Sequence, residues 1–372
     1  MNRTVVYVGE FILPDKGASA NRVVSNAKAF REAGFDTVFL GAASSDEHFE
    51  GIRKVPGTEN MYEEAHPATT LQWARHIFSA GSILELVREY NAEAVILYNL
   101  PVVTLLAVKS ALRKTDVKVM YDCTEWTAYT DGGLPKRLFK KLDEFFVRNF
   151  LHKLCDNIIV ISSMMKEKYK KCKNMILLPP LVDTDDVIWH QKSRCDDGIF
   201  EFCFAGVPDG NKESLDSIVT AFGNTKINNT RLRIIGVKKE EFVSLYPALE
   251  ASADDERIIF MGKLSHKDTL KYVSDCDCYI FIRPFDRRNN AGFPTKFAEG
   301  YTLNVPVITT DISDIAKYLD TEKDILLSDC SADAVKKAME EKINNGKASA
   351  FCEIRTAFDY RNYIDLCKKF LK

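Results

Sequence analysis

Twice along its length the chain alternates β-branched or aromatic runs with amphipathic helical stretches, and no other feature constrains its fold as strongly. Strands of a parallel sheet are buried on both faces, so they read as near-continuous apolar runs, with crossover helices between them. T-V-V-Y-V-G-E (4–10) reads as the first strand, followed by a helix over 20–33 that Gly34 closes. T-V-F-L-G, A-V-I-L-Y-N, V-K-V-M-Y-D and N-I-I-V-I-S continue the strands, with helices predicted at 102–113, 135–154 and 163–171. Pro179-Pro180 can extend neither a ladder nor a helix and ends this half. Beyond Gly198 the alternation resumes with F-E-F-C-F-A-G, R-L-R-I-I-G, I-I-F-M-G, C-Y-I-F-I-R-P, V-P-V-I-T-T and D-I-L-L. Helices are predicted there at 212–223, 266–274 and 295–303, and a last one over 351–371. The stretch 42–75 has no clear period and is expected to hold an irregular excursion. The pattern implies an α/β fold of two doubly wound parallel-sheet domains, 1–180 and 181–352, with a cleft where the carboxyl ends of the strands face each other.

Charge excludes some functions. Fifty-one basic against fifty-three acidic residues leave a formal net charge of −2, so there is no whole-protein basic field for nucleic acid, and any anion site is local. No apolar run reaches the roughly 18–20 residues of a membrane span. The N-terminus carries Asp15 where a signal peptide has its apolar core, which predicts a cytoplasmic protein. The ten cysteines sit mostly in strand-like runs and read as reduced thiols. Cys276 and Cys278, two apart in an extended run, point to opposite faces, a poor geometry for zinc. Asp183-Thr-Asp185 and Asp275-Cys-Asp277 have the form of a metal-binding D-x-D but are not placed at strand ends. No metal and no cofactor is expected.

Residues 280–310, I-F-I-R-P-F-D-R-R-N-N-A-G-F-P-T-K-F-A-E-G-Y-T-L-N-V-P-V-I-T-T, carry the most chemistry. A strand ends near Arg283, a polar loop follows, and Gly292-Phe293-Pro294 opens a helix. Proline suits a first helical position, and the unpaired amides and helix dipole there favour an anion. Lys296 and Glu299 lie one turn apart on nearly one face, so a cation stands beside the amides and a carboxylate one turn deeper. A phosphate fits the former and ribose hydroxyls the latter. A solvated Lys–Glu pair is the plain alternative.

This stretch resembles the C-terminal signature of glycosyltransferase family 4, retaining enzymes of the GT-B fold that use nucleotide-sugar donors. Members carry E-x7-E followed by G-x-P-V-I, and the F-P-T-K-F-x-E form is similar to a subset in bacterial surface-polysaccharide synthesis. The resemblance implies two Rossmann-like domains, acceptor-binding over 1–180 and donor-binding over 181–352. It also implies that 353–372 forms a C-terminal helix returning towards the first domain. It places Glu299 on the donor ribose and the amides from Gly292 through Phe293, Pro294 and Thr295, with Lys296, on the diphosphate. The first acidic position is Ala291, for which Asn289, Asn290 or Asp286 could substitute.

A second match lies in F-A-G-V-P-D-G-N-K-E-S-L-D-S-I-V-T-A-F, 204–222. Gly206 and Lys212 fit the family's diphosphate clamp, whereas Val207 stands where an arginine is expected, and Arg283 could supply the guanidinium. Lys263 and Leu264 occupy the loop that holds the base. In the first half, Gly17 opens a small-residue loop and Ser19 could cap the next helix. The resemblance turns Arg22, in that helix, towards the donor phosphates, against the alternative of a surface arginine. The family's His-Asp or His-Glu pair reads Thr124-Glu125, leaving Glu125 to position the acceptor or stabilise positive charge. Trp126 stacks on a sugar or fills core.

Residues 136–154 form a basic amphipathic helix with an apolar stripe of Leu138, Leu142, Phe145, Phe146, Phe150 and Leu154. Such a helix covers a sheet or rests on anionic lipid at the inner face of the membrane. The expected function is metal-independent, hexosyl-type transfer from a nucleotide diphosphate sugar, UDP favoured over GDP, to a glycan or lipid-linked acceptor. Lys212, Lys296 and Glu125 are its catalytic candidates. A nucleotide-sugar 2-epimerase of the same fold and a catalytically silent donor-binding subunit are the alternatives.

Overall fold

The computed structural model describes residues 2–14, 17–44, 47, 49–67, 69–126, 133–191, 197–208, 212–347 and 353–372. Asp15 and the turn residues 209–211 of P-D-G-N therefore lie outside the described residues. The chain divides into two compact units. The first holds Met1–Val182, Ala291–Phe293 and Asp359–Lys372, and the second Asp183–Asn290 and Pro294–Phe358.

The first unit runs β1 (Arg3–Gly9), α1 (Ala18–Glu32), β2 (Phe35–Ala42), β3 (Ile52–Lys54), β4 (Met61–Glu64), α2 (Thr70–Phe78), α3 (Gly81–Glu89) and β5 (Ala94–Tyr98). It continues with α4 (Val102–Ala111), β6 (Lys118–Cys123), α5 (Leu134–Leu154), β7 (Asn157–Val160), α6 (Ser163–Lys168) and β8 (Asn174–Leu177). The sheet order is β3-β4-β2-β1-β5-β6-β7-β8, parallel except for the β3–β4 pair. β1 is buried from Val5 on because it is central, with Val5 opposite Thr37 of β2 and Ala94 of β5. Its Tyr7 ring packs between Phe30 and Phe39, with centroids at 6.2 and 6.4 Å.

The second unit runs β9 (Phe200–Ala205), α7 (Leu215–Thr225), β10 (Thr230–Ile235), α8 (Lys239–Leu245), α9 (Glu250–Ala253), β11 (Ile258–Gly262) and α10 (His266–Asp275). Then come β12 (Cys278–Phe281), α11 (Arg287–Ala291), α12 (Thr295–Thr302), β13 (Val307–Thr310), β14 (Ile325–Leu327) and α13 (Ala332–Asn345). Its sheet, β11-β10-β9-β12-β13-β14, is parallel throughout, so every strand ends on one edge.

Three local expectations need correction. The helix expected from Lys212 begins at Leu215, because the Ser214 amide donates to the Ile282 carbonyl at 2.8 Å and holds the chain extended to that point. The helix expected over 351–371 is much shorter: a 3-10 turn at Tyr360–Tyr363 leads into α14 (Ile364–Leu371), and residues 351–352 lie outside the described residues. Cys367, Phe370 and Leu371 of α14 join the core built on Tyr7 and Phe30. The excursion at 42–75 holds the β3–β4 hairpin and the start of α2, whose Thr69 and Gln72 form a reciprocal capping box. No described helix is long and apolar enough to cross a membrane.

Candidate functional site

The carboxyl edge of the second sheet gathers side chains from three loops. β9 leads into Gly206, β11 leads into Lys263 and Leu264, and Arg283 follows β12. Glu213, in the turn before α7, is buried there. Its Oε1 accepts from Arg283 Nη2 at 3.1 Å, and its Oε2 from the Lys296 ammonium of α12. Side-chain exposures of 6% for Glu213, 9% for Arg283 and 13% for Lys296 place the trio largely out of water. Two cations share one buried carboxylate beside the first turn of α12, and the Glu299 carboxylate one turn on also attracts Lys296.

Burial alone would raise the Glu213 carboxyl, but the attraction and hydrogen bonds of Lys296 and Arg283 outweigh it and hold its pKa below the usual range. Burial, and then Arg283, push Lys296 below the ordinary lysine value despite Glu213. The Lys296 ammonium also stands 4.5 Å from the centre of the Phe204 ring. Arg283 Nε is buried and has no partner among the described residues. Gly206 makes the arrangement possible: a Cβ there would fall 2.1 Å from Lys296 Nζ and 3.0 Å from Glu213 Oε2.

One turn deeper in α12, Glu299 Oε1 lies 3.0 Å from Nε2 of His266, the first residue of α10. Glu299 is thus held by a neighbouring helix and is not a solvated partner of Lys296. Lys263 is exposed and Leu264 half-buried, three and two positions before that histidine.

The structure therefore brings Gly206, Arg283 and Lys296 together and sets Glu299 one turn on. Lys212 sits in the bend next to Glu213, ahead of the helix. Pro294 caps α12, and Thr295 is its first residue. The packing of Gly292 and Phe293 belongs to the first unit, where the Ala291 carbonyl accepts from the Ser162 hydroxyl at 2.5 Å. Asn290 is engaged locally, accepting from the Ser313 amide at 3.2 Å and donating to the Asp286 carbonyl at 2.9 Å. Asn289 and Asp286 bond each other, at 2.7 and 3.0 Å. These three side chains stabilise the α11 turn.

Arg22 requires a correction. It is 3% exposed and spends its guanidinium inside the first unit. Nη2 and Nε donate to Asp122 at 2.9 and 3.1 Å, and Nη1 to the carbonyls of Leu178 and Pro179 at 3.0 and 3.3 Å. The Tyr7 hydroxyl donates to the same carboxylate. Arg22 does not lie on the surface, and its described hydrogen bonds bridge β6 to the end of the unit. Gly17, at φ 100°, caps α1.

Glu125 lines a cavity of about 610 Å³ within the first unit, between α2 and α5. Across it His76 stands 3.3 Å from Glu10 and 3.4 Å from Glu64. The hydrogen bond to Glu10, opposed by burial and supported by Glu64, raises the His76 pKa. Trp126 also borders the cavity, but it is 4% exposed and donates to the Tyr169 hydroxyl at 2.9 Å, so it is chiefly core. Thr124 is tied to Asn99 and Tyr98. Sequence reading missed Glu213 and His266, because a glutamate beside a lysine and a histidine after a serine each look solvated. Among the described residues no three His, Cys, Asp or Glu side chains gather as a metal site, and the described cysteines are free thiols.

Two doubly wound α/β units, with a cationic niche on the strand-end edge of the second, define the class as the GT-B fold. Residues 200–345 match the family model for glycosyl transferases group 1, and this match on that fold identifies the chain as a glycosyltransferase. No curated protein matches the sequence. Solved structures resemble it over nearly its whole length. A glycosyltransferase from Rickettsia africae ESF-5 shows 14% identity and TM-score 0.68, covering 100% of this chain and 99% of that one. Anabaena HepE in complex with UDP and glucose shows 10% identity and TM-score 0.67, covering 99% and 98%. Sucrose-phosphate synthase from Thermosynechococcus elongatus shows 12% and 0.66, covering 99% and 94%.

Proposed function

We propose that the chain is a retaining, metal-independent hexosyltransferase. It moves a sugar from a nucleoside diphosphate, UDP ahead of GDP, to a glycan or lipid-linked acceptor, at the inner face of the cell membrane in surface-polysaccharide synthesis. The observation that carries this reading is the buried Glu213–Lys296–Arg283 cluster, whose two cations stand beside the amides opening α12. A diphosphate is the ligand such a niche fits, and the unpartnered Arg283 Nε is a donor in want of an anion. Glu299 engages His266 through one oxygen, and an ionised carboxylate has acceptor capacity for ribose hydroxyls besides.

In this reading Lys296, Lys212 and Arg283 stabilise the charge that develops on the departing diphosphate. A preorganised donor of this kind is worth roughly 10²–10³ in rate. Lys263 and Leu264 border the base. Glu125, in the first-unit cavity, positions the acceptor or stabilises the glycosyl cation. The departing phosphate takes the acceptor proton.

The test is calorimetry with UDP and GDP, together with donor turnover, for wild type, Lys296→Ala and Glu299→Ala. Both variants should fold and lose donor use, and turnover should survive chelation of divalent metal. Unchanged turnover in both variants refutes the assignment. Conversion of donor with no acceptor present would favour the 2-epimerase. Nucleotide binding without transfer across an acceptor panel would favour a silent subunit, the alternative motivated by Ala291, Val207 and Thr124.

A further inference from the structure

The outer face of α5 is apolar, exposed and ringed by positive charge. Leu134 is 84% exposed, Leu138 60%, Leu142 51%, and Phe145 and Phe146 45% each. Leu134, Leu138, Leu142 and Phe145 recur at spacings of three and four, so they form one stripe. Phe145 and Phe146 meet Phe150 at 5.9 and 5.8 Å, making an aromatic cluster at its far end. A run of large apolar side chains this exposed is a surface that awaits an occupant.

The charges on the helix are sorted by side. Every exposed charged residue of α5 is basic: Arg137, Lys141 and Lys153, together with Lys136, which stands on the cavity side over Trp73. Its two acidic residues are turned away. Asp143 accepts from the Val102 amide at 2.7 Å, and Glu144 stands 3.6 Å from Arg148. Lys168 of α6 reaches Asn149 of α5 at 3.1 Å and extends the basic rim.

We infer that this face of the first unit docks on an anionic lipid bilayer. Charge complementarity selects that occupant: lysine and arginine surrounding leucine and phenylalanine match phosphate head groups over acyl chains. A nucleic acid would use the charge and leave the leucines in water. A second copy of the chain would set basic rim against basic rim. The opposite face of α5, with Phe139, Asp143 and Val147, lines the 610 Å³ cavity that also holds Glu125. Docking therefore brings the cavity's own helix to the bilayer. Resting on the glycosyltransferase reading, it narrows the acceptor to the lipid-linked kind.

The test is co-sedimentation of the full chain with vesicles of phosphatidylcholine alone and of phosphatidylcholine with phosphatidylglycerol. Wild type should bind the anionic vesicles and lose binding as salt rises. Leu138→Glu and Phe145→Glu should each weaken partition roughly tenfold or more, and Arg137→Glu and Lys141→Glu roughly fivefold or more. These positions are exposed, so thermal melts and UDP calorimetry should match wild type. The nucleotide measurement separates the two readings, because vesicle binding needs no donor. Equal binding to neutral and anionic vesicles overturns the inference. So does unchanged binding by Leu138→Glu, or wild-type dimerisation that Leu138→Glu abolishes while vesicle binding persists.

Discussion

Lys296 and Glu213, 83 residues apart in the chain, meet as a buried ion pair at the carboxyl edge of the second sheet, and Arg283 closes on the same carboxylate. Each cation is tolerated out of water because the carboxylate is there. The carboxylate in turn stays ionised because it has two cations to answer. Removing the carboxylate leaves both cations without their shared partner, which makes Glu213 the position at which to test the cluster.

Glu213→Gln keeps the shape of the side chain and removes its charge. Breaking a buried pair of this kind costs about 3–5 kcal/mol, so the melting temperature should fall clearly. Lys296, already below the ordinary lysine value, loses its Coulombic support and should titrate lower still. If a diphosphate occupies the niche, it supplies the lost negative charge, and UDP should raise the variant's melting temperature more than the wild type's. Equal shifts would argue that the nucleotide sits elsewhere.

Gly206→Ala tests the room left for the pair. The new methyl would lie 2.1 Å from Lys296 Nζ, the tip of a flexible side chain, so the fold should survive at a cost of about 1–3 kcal/mol. The pair itself cannot, and donor affinity should fall by roughly tenfold or more. Gly236→Ala is the contrast. Its Cβ would strike the Gly206 carbonyl oxygen at 2.3 Å from a residue at φ 108°, and backbone cannot move aside as a side chain does. Soluble expression and thermal melts of the two variants should differ accordingly.

Arg22→Met should destabilise the first unit and leave nucleotide binding alone. The substitution leaves the buried Asp122 carboxylate with the Tyr7 hydroxyl but no cation, and strips the carbonyls of Leu178 and Pro179 of their donor, a loss of about 3–5 kcal/mol. Urea unfolding measures the first expectation and UDP calorimetry the second. A loss below about 1 kcal/mol would mean that the network is not held as described.

Asp143 carries a pH signature. Burial raises its carboxyl from the ordinary 3.8 to about 6, in spite of the hydrogen bond from the Val102 amide. A folded value above the unfolded one means that protonation favours the fold. The stability from this group is full below about pH 4 and is lost as the pH climbs through about 6. Asp143→Asn keeps an acceptor for Val102 and removes that loss. The variant should be more stable than wild type by about 1–2 kcal/mol at pH 7 and indistinguishable near pH 4, as followed by denaturant unfolding at each pH.

Much of the architecture was legible because buried parallel strands announce themselves as apolar runs. β1, β5, β9 and β12 were each read within a few residues of their observed ends. The β3–β4 hairpin was not, since Ile52–Lys54 and Met61–Glu64 are short edge strands whose pairing comes from the sheet beside them. α2 was missed although Thr69 and Gln72 spelled its cap, and α13 although Ser331 precedes it.

The sequence by itself determined two doubly wound halves, a proline that opens α12, and a lysine and glutamate one turn apart on that helix, because each follows from local period and spacing. Only the tertiary structure decided which charges meet. Glu213 finds its cations 70 and 83 residues on, and Arg22 its carboxylate 100 residues on. A charged side chain is written identically whether it faces water or a buried partner. The desolvation that separates those fates exists only once distant strands have been laid side by side.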